Sequence, residues 1–257
     1  MVDIHSHFLW GLDDGSGSRE TSLAMLKIAC ETGTTDIVTT PHANSEYAYR
    51  PEAIEERIHD LESIPAAERP RLHRGCDFHL NYENIEDALK NPRKYTVNGR
   101  NFLLVEFADV HIPQATSEIF DQLMGRGMFP IITHPERNPI LARSLDRLAA
   151  LVERGSFAQV TAKSLEGGFG KGPRAAGWEM LSRGLIHFVA SDCHDPQYRT
   201  PRLDAAFNLV AGKLGIDVAE LLFTSNPSVV IAGGNPASIV SIAPVPERHR
   251  WWNFRRR

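Results

Sequence analysis

Long apolar runs are missing from this chain of 257 residues. No stretch of about 18 or more apolar residues occurs, so no membrane-spanning helix is expected. Cysteine is scarce as well. Cys30, Cys76 and Cys193 have no paired spacing, which argues against a disulfide framework and for a reducing cytoplasm. An excess of basic charge is absent: the net charge is −4, so the surface as a whole is no nucleic-acid footprint and no nucleic-acid partner is expected. There is no internal repeat. The first residues already read as a strand, which leaves no room for a cleavable signal.

What the chain does have is enough apolar content, 42%, for one sizeable core. Strand-like and helix-like segments alternate. Strands are predicted near residues 2–5, 36–40, 71–76, 102–106, 129–134, 157–161 and 185–191. Helices are predicted over 19–32, 51–63, 117–126, 145–154, 174–183 and 203–214. Ser18 is an N-cap candidate, Pro51 stands at a favoured first helical position, and Gly33, Gly155 and Gly184 are stops. Such alternation implies a parallel sheet with right-handed crossovers. Residues 1–233 are taken as one barrel. Residues 234–246 are rich in Gly, Pro, Ala and Ser and read as a linker, and 247–257 form a basic, aromatic tail.

The chemistry lies at the strand ends. His5 and His7 stand two residues apart, so in a strand they face one side. Four other apolar runs end in His42, in Glu106, in His134 and in Asp192 with His194, while Asp14 stands in Asp-Asp-Gly and Asp77 follows the third strand in Gly-Cys-Asp. Any one of these has a plainer reading: a lone histidine is more often a surface or core residue, and Asp-Asp-Gly is a good turn. Together they are nine imidazole and carboxylate donors with little thiolate, the ligand set of a hydrolytic Zn, Mn or Fe centre. Nine are too many for one ion and suit a cluster of two or three divalent metals. Only a closed ring brings all strand ends to one mouth. An open sheet would spread them at about 4.8 Å per strand. His73, His79, His111, His187 and His249 are expected to lie outside the cluster.

Arg137 and Arg199 follow His134 and His194 on mouth loops, where guanidinium forks suit a phosphate. They favour a phosphoryl substrate over an amide or ester. Cys193 to Arg199 matches the C-x5-R spacing of the cysteine-dependent phosphatase loop. That chemistry needs backbone N–H groups around the anion. Pro196 has none and Asp195 would repel it, so Cys193 is expected to point away between Asp192 and His194.

Val-Asp-Ile-His-Ser-His (2–7), Leu-Asp-Asp-Gly (12–15), Thr-Thr-Pro-His (39–42), Leu-Val-Glu-Phe (104–107), Ile-Thr-His-Pro-Glu-Arg-Asn (132–138) and Ile-His-Phe-Val-Ala-Ser-Asp-Cys-His (186–194) carry a resemblance. Over about residues 1–232 the chain resembles the PHP (polymerase and histidinol phosphatase) superfamily. Within it, the chain is similar to the CpsB-type bacterial tyrosine-protein phosphatases of capsular and exopolysaccharide operons. The resemblance implies a distorted (β/α)7 barrel of the PHP type, with a cluster of metals, commonly manganese, at the C-terminal ends of the strands. It puts His5, His7, Asp77 and Asp192 on one ion. Asp77 bridges to a second held with Glu106 and His134, and Asp14, His42 and His194 hold a third. Asp77 stands where the family usually has the longer glutamate. Arg137 and Arg199 match phosphate-holding positions.

The function so implied is hydrolysis of phosphotyrosine by a metal-activated hydroxide. The implied partner is a bacterial tyrosine autokinase of polysaccharide export, met in the cytoplasm or at the inner membrane surface. The tail of 247–257 could dock on an anionic membrane or on a partner. Two rivals share the scaffold: a small-molecule phosphomonoesterase, for histidinol phosphate or nucleotides, and a metal-binding docking scaffold without activity.

Overall fold

The structure, a computed structural model, describes residues 1–237; the expected tail of 247–257 and most of the expected linker lie outside the described residues. Among the described residues every strand pairs in parallel. The strands in chain order are β1 (Val2–Ser6), β2 (Asp36–Thr39), β3 (His42–Ala43), β4 (Arg71–Arg74), β5 (Asp77–His79), β6 (Phe102–Glu106), β7 (Phe129–Thr133), β8 (Phe157–Thr161) and β9 (Phe188–Ala190). β1, β2 and β4 form one ladder, and β3, β5, β6, β7, β8 and β9 form the other.

Nine segments make seven positions in a ring, because two of the expected runs are each split in two. Pro41 has no N–H to give a ladder, so the second run breaks into β2 and β3. Gly75 breaks the third run into β4 and β5. A Cβ there would stand 2.9 Å from Val38 Cγ1, so only glycine lets the strands approach this closely. The ring closes where the segment after β9 meets β1: Asp192 N–H donates to His5 O at 2.8 Å and His7 N–H to Cys193 O at 2.9 Å.

The helices are α1 (Arg19–Glu31), α2 (Pro51–Leu61), α3 (Tyr82–Lys90), α4 (Thr116–Gly125), α5 (Leu145–Glu153), α6 (Ala162–Glu166), α7 (Lys171–Ser182), α8 (Asp204–Leu214), α9 (Ile216–Glu220) and α10 (Asn226–Ala232). Ser18 caps α1, its Oγ accepting from Thr21 N–H, and Pro51 opens α2. α3, α6, α9 and α10 are not among the expected helices: α3 has few apolar residues, α6 and α9 are 5 residues long and α10 is 7. Among the described residues, no helix is long and apolar enough to cross a membrane.

The period of two along the strands divides the core. Leu103, Val105, Ile132, Ala158, Val160 and Val189 pack outward with helix residues such as Leu148 and Met180. Phe102, Leu104, Ile131, Phe188 and Ala190 meet Val2, Ile4 and Val38 from around the ring, filling the barrel interior, with Val97 and Val230 in the same cluster. In β6 and β9 the next residues in this inward phase are Glu106 and Asp192. The alternation that buries the core therefore also aims carboxylates into the mouth.

Candidate metal centre

All nine candidate donors converge at the C-terminal mouth of the ring. His5 Nε2 and His7 Nε2 lie 3.2 Å apart. His5 Nε2 stands 3.4 Å from Asp77 Oδ2 and 3.5 Å from Asp192 Oδ1, and His7 Nε2 is 3.5 Å from the same Asp192 atom. Asp14 Oδ1 is 3.4 Å from His42 Nε2 and 3.5 Å from His194 Nε2. Glu106 Oε1 is 3.5 Å from His134 Nε2, and Glu106 Oε2 is 3.3 Å from His42 Nδ1. Two donors each about 2.1 Å from one cation lie about 3.0–3.4 Å apart at octahedral or tetrahedral angles. The observed spacings sit at or just above that value.

Hydrogen bonding does not account for this packing. His42 Nδ1 lies 3.3 Å from both Asp77 Oδ2 and Glu106 Oε2, yet these three buried atoms make no well-aligned hydrogen bond. Orphaned groups of this kind are costly in a finished core. Their donor chemistry, imidazole nitrogen and carboxylate oxygen, fits divalent cations. Four groupings could each hold an ion: His7, Asp14, His42 and His194; His5, Asp77 and His134; His5, His7 and Asp192; and His42, His79 and Glu106.

The electrostatics show the pressure on these groups. Burial alone would drive the His5 imidazolium down, but the carboxylates of Asp77 and Asp192 override it and hold the group at about 9. His7 goes the other way, to about 4, by burial and then by the neighbouring His194. His134 is pushed down to about 4 by burial and by Arg137. Asp192 is opposed by burial, yet His5, Arg199 and Arg137 hold its carboxyl well below the usual range.

Local structure explains the aim of each group. Gly15 lets the Asp13–Asp14 turn lie on His7, since a Cβ there would meet His7 O at 2.2 Å. His134 and Asp192 both occupy the left-handed backbone region, at φ +33 and +51, which turns each side chain off the end of its strand into the mouth. In His-Pro-Glu-Arg-Asn, buried Glu136 accepts from Thr161 N–H at 3.0 Å and Ser164 Oγ at 2.7 Å. Asn138 Oδ1 accepts from Ile140 N–H and Leu141 N–H. The loop is tied down on both sides of Arg137.

Arg137 and Arg199 both donate to Asp192 Oδ2, Arg199 at 2.5 Å. Cys193, by contrast, is fully buried in an apolar cluster with Phe8, Leu9 and Met25, and burial pushes its thiol up. It faces away from the mouth and lacks the exposure a nucleophile needs.

Three mouth residues escape the sequence reading. Asp13 Oδ2 accepts from His7 Nδ1 at 2.6 Å, and Gln159 Oε1 accepts from His5 Nδ1 at 2.9 Å. Each bond leaves Nε2 free to face the cluster. Asp13 has the look of a turn residue, and nothing in the sequence marks Gln159. His79, expected outside the cluster, touches Glu106 Oε2 through Nε2, and its ring lies 5.5 Å from that of His42. Its signal was available: it stands two residues after Asp77, as His7 does after His5. His73 and His187 lie away from the cluster. His73 pairs with Asp36, and His187 packs on Phe157.

A family model described as capsular polysaccharide synthesis, CpsB/CapC, matches residues 1–232. Tyrosine-protein phosphatase YwqE of Bacillus subtilis (strain 168) is 32% identical over 234 residues, covering 90% of this chain and 91% of that protein. Tyrosine-protein phosphatase CpsB of Streptococcus pneumoniae is 28% identical over 239 residues, covering 90% and 98%. A crystal structure from the pair YwqE of Bacillus subtilis and CpsB of Streptococcus pneumoniae, described as unique metal-dependent tyrosine phosphatases, superposes with a TM-score of 0.86. It has 30% identity and covers 93% of this chain and 97% of that one.

Proposed function

This chain belongs to the CpsB/CapC family of capsular polysaccharide synthesis, and we propose on that premise that it is a metal-dependent protein-tyrosine phosphatase. The observation that carries the reading is the convergence of orphaned imidazole and carboxylate atoms beside two arginines that share one oxygen.

His5, His7, Asp77 and Asp192 would hold one cation, Glu106 and His134 with Asp77 a second, and Asp14, His42 and His194 a third. Manganese is the expected metal, with iron and zinc as alternatives. When bound, the cations supply an activated water and positive charge for an in-line displacement at phosphorus. Asp13 and Gln159 hold the His7 and His5 rings in register. Arg137 and Arg199 bind the phosphoryl oxygens and hold the group in line for attack. Tyrosinate departs with a pKa near 10, so little general-acid help is required of the protein.

The substrate is a phosphotyrosyl protein, a bacterial tyrosine autokinase of polysaccharide export, met on the cytoplasmic side of the membrane. The barrel of 1–233 carries the chemistry, and the basic, aromatic tail of 247–257 brings it to an anionic surface or partner.

The test compares kcat/KM of the metal-loaded protein on a phosphotyrosyl peptide, histidinol phosphate and nucleoside monophosphates. The peptide should be preferred, chelation should abolish turnover, and Cys193→Ser should leave it unchanged. Preference for a small phosphate would move the assignment to the small-molecule branch. Absence of turnover with metal bound would favour a scaffold. Activity that survives EDTA but not Cys193→Ser would end the metal reading.

A further inference from the structure

Among the described residues, β8 occupies the one position in the ring whose strand end sends neither a candidate ligand nor an arginine into the mouth. It lies between β7, which leads into Arg137, and β9, which leads into Arg199. After β8 and α6 comes Gly167-Gly168-Phe169-Gly170. Gly167 and Gly170 have left-handed backbone, at φ +96 and +93, and the loop's only side chain is Phe169.

The Phe169 ring lies against both guanidiniums. Arg137 Cζ is 4.6 Å from the ring centroid and Arg199 Cζ is 5.9 Å from it. Both distances fall within the range of cation–π attraction. The two arginines also reach one atom, Asp192 Oδ2. Two like charges drawn to one point repel each other. A carboxylate on one side and an aromatic face on another offset that repulsion without adding a competing hydrogen-bond donor.

We propose that Phe169 is a positioning residue that holds Arg137 and Arg199 together where the substrate's phosphoryl oxygens bind. A phosphoryl oxygen arriving there takes over hydrogen bonds that Asp192 Oδ2 accepts in the free protein. The ring stays behind the arginines in both states, so it limits the side-chain freedom lost on binding. The glycines around it let the loop reach the mouth with one aromatic group and nothing else. This inference rests on the phosphatase reading above.

The test uses the metal-loaded full chain. Phe169→Leu keeps apolar bulk and removes the π face, and Phe169→Trp keeps the face. Inorganic phosphate affinity is read by calorimetry, kcat and KM on a phosphotyrosyl peptide, and metal content by elemental analysis. The leucine variant should weaken phosphate binding and raise KM by about 5- to 30-fold. Its kcat should change less and its metal content should equal that of the wild type. The tryptophan variant should return both constants to within about twofold of wild type. In an Arg137→Ala background, the same Phe169→Leu change should have a clearly smaller effect on phosphate affinity.

Wild-type phosphate affinity in Phe169→Leu overturns the proposal. Equal losses in the leucine and tryptophan variants, or an undiminished effect without Arg137, overturn it too. If the wild type turned over no phosphotyrosine, the functional reading would fall, while phosphate binding would still decide the role of Phe169.

Discussion

At the floor of the barrel, Asp36 opens β2 and meets Arg71 Nε and Nη2 at 2.8 Å each, His73 Nε2 at 2.9 Å and Thr35 Oγ1 at 2.9 Å. Asn98 Nδ2 donates to His73 Nδ1 at 3.2 Å, so both ring nitrogens are used. At the mouth, histidines and carboxylates are packed more densely, yet His42 Nδ1, Asp77 Oδ2 and Glu106 Oε2 face one another without a well-aligned hydrogen bond. Histidine and carboxylate meet in both places, but the Asp36 cluster is complete as protein and the mouth cluster is not. A satisfied polar cluster is structure, and one with converging orphans is a place for ligands.

The backbone draws no such line. Asn98 at the floor and His134 and Asp192 at the mouth all have positive φ, +52, +33 and +51, and Asn, Asp and His are the non-glycine residues that adopt this region most readily. At the mouth that conformation aims two donors.

Four experiments would break or sharpen this contrast. The largest effect is expected from histidine removal. His5→Ala should lower phosphotyrosyl-peptide kcat/KM on the order of 1,000-fold, whereas His73→Ala at the floor should leave it within about twofold. Equal losses would mean that the two ends do not differ in kind.

Next comes Asp13→Ala, which frees the His7 ring. Metal affinity, measured by titration against a competing chelator, should fall about 10- to 100-fold. Unchanged affinity would reduce Asp13 to a turn residue.

A smaller effect isolates the backbone. His134→Gly should be more stable than His134→Ala by about 1 kcal/mol in urea denaturation, because a Cβ is unfavourable at positive φ. The usual order, alanine above glycine, would show that no strain is stored there.

The smallest effect belongs to the floor. Burial opposes ionisation of Asp36, but Arg71, His73 and Thr35 hold its carboxyl at about 2, below its ordinary 3.8. A depressed folded-state value means stability that is present above about pH 4 and lost as the pH falls through 2. Arg71 is exposed, which discounts the pair, so Asp36→Asn should cost about 1 kcal/mol at pH 7. It should remove that part of the acid dependence and leave kcat/KM unchanged. A loss of activity would tie the floor to the chemistry.

Much of this molecule was legible in the chain. All seven expected strand runs contain strand, and the structure gathers all nine candidate donors, because buried parallel strands read as apolar runs and the donors stand at their ends. The breaks at Pro41 and Gly75 were harder to see: a proline or glycine near a strand end reads equally well as its boundary. α3 was hidden because its Asn81 cap precedes a helix of few apolar residues. Gln159, Asp13, His79 and Phe169 were not read as site residues. An amide, a turn carboxylate, a spare imidazole or an aromatic gains a role only from what faces it across the ring.

The order of residues by itself determined the chemical inventory: which donors exist, that they end strands, and that arginines follow two of them. Those properties belong to side chains and to local alternation, so no folding is needed to state them. Only the closed ring decided which donors could share a cation, which imidazole nitrogen faces the cluster, and that one aromatic ring lies against both guanidiniums. Such groupings join strand ends far apart in the chain. Distance in space is settled by how the sheet closes, and sequence separation says little about it.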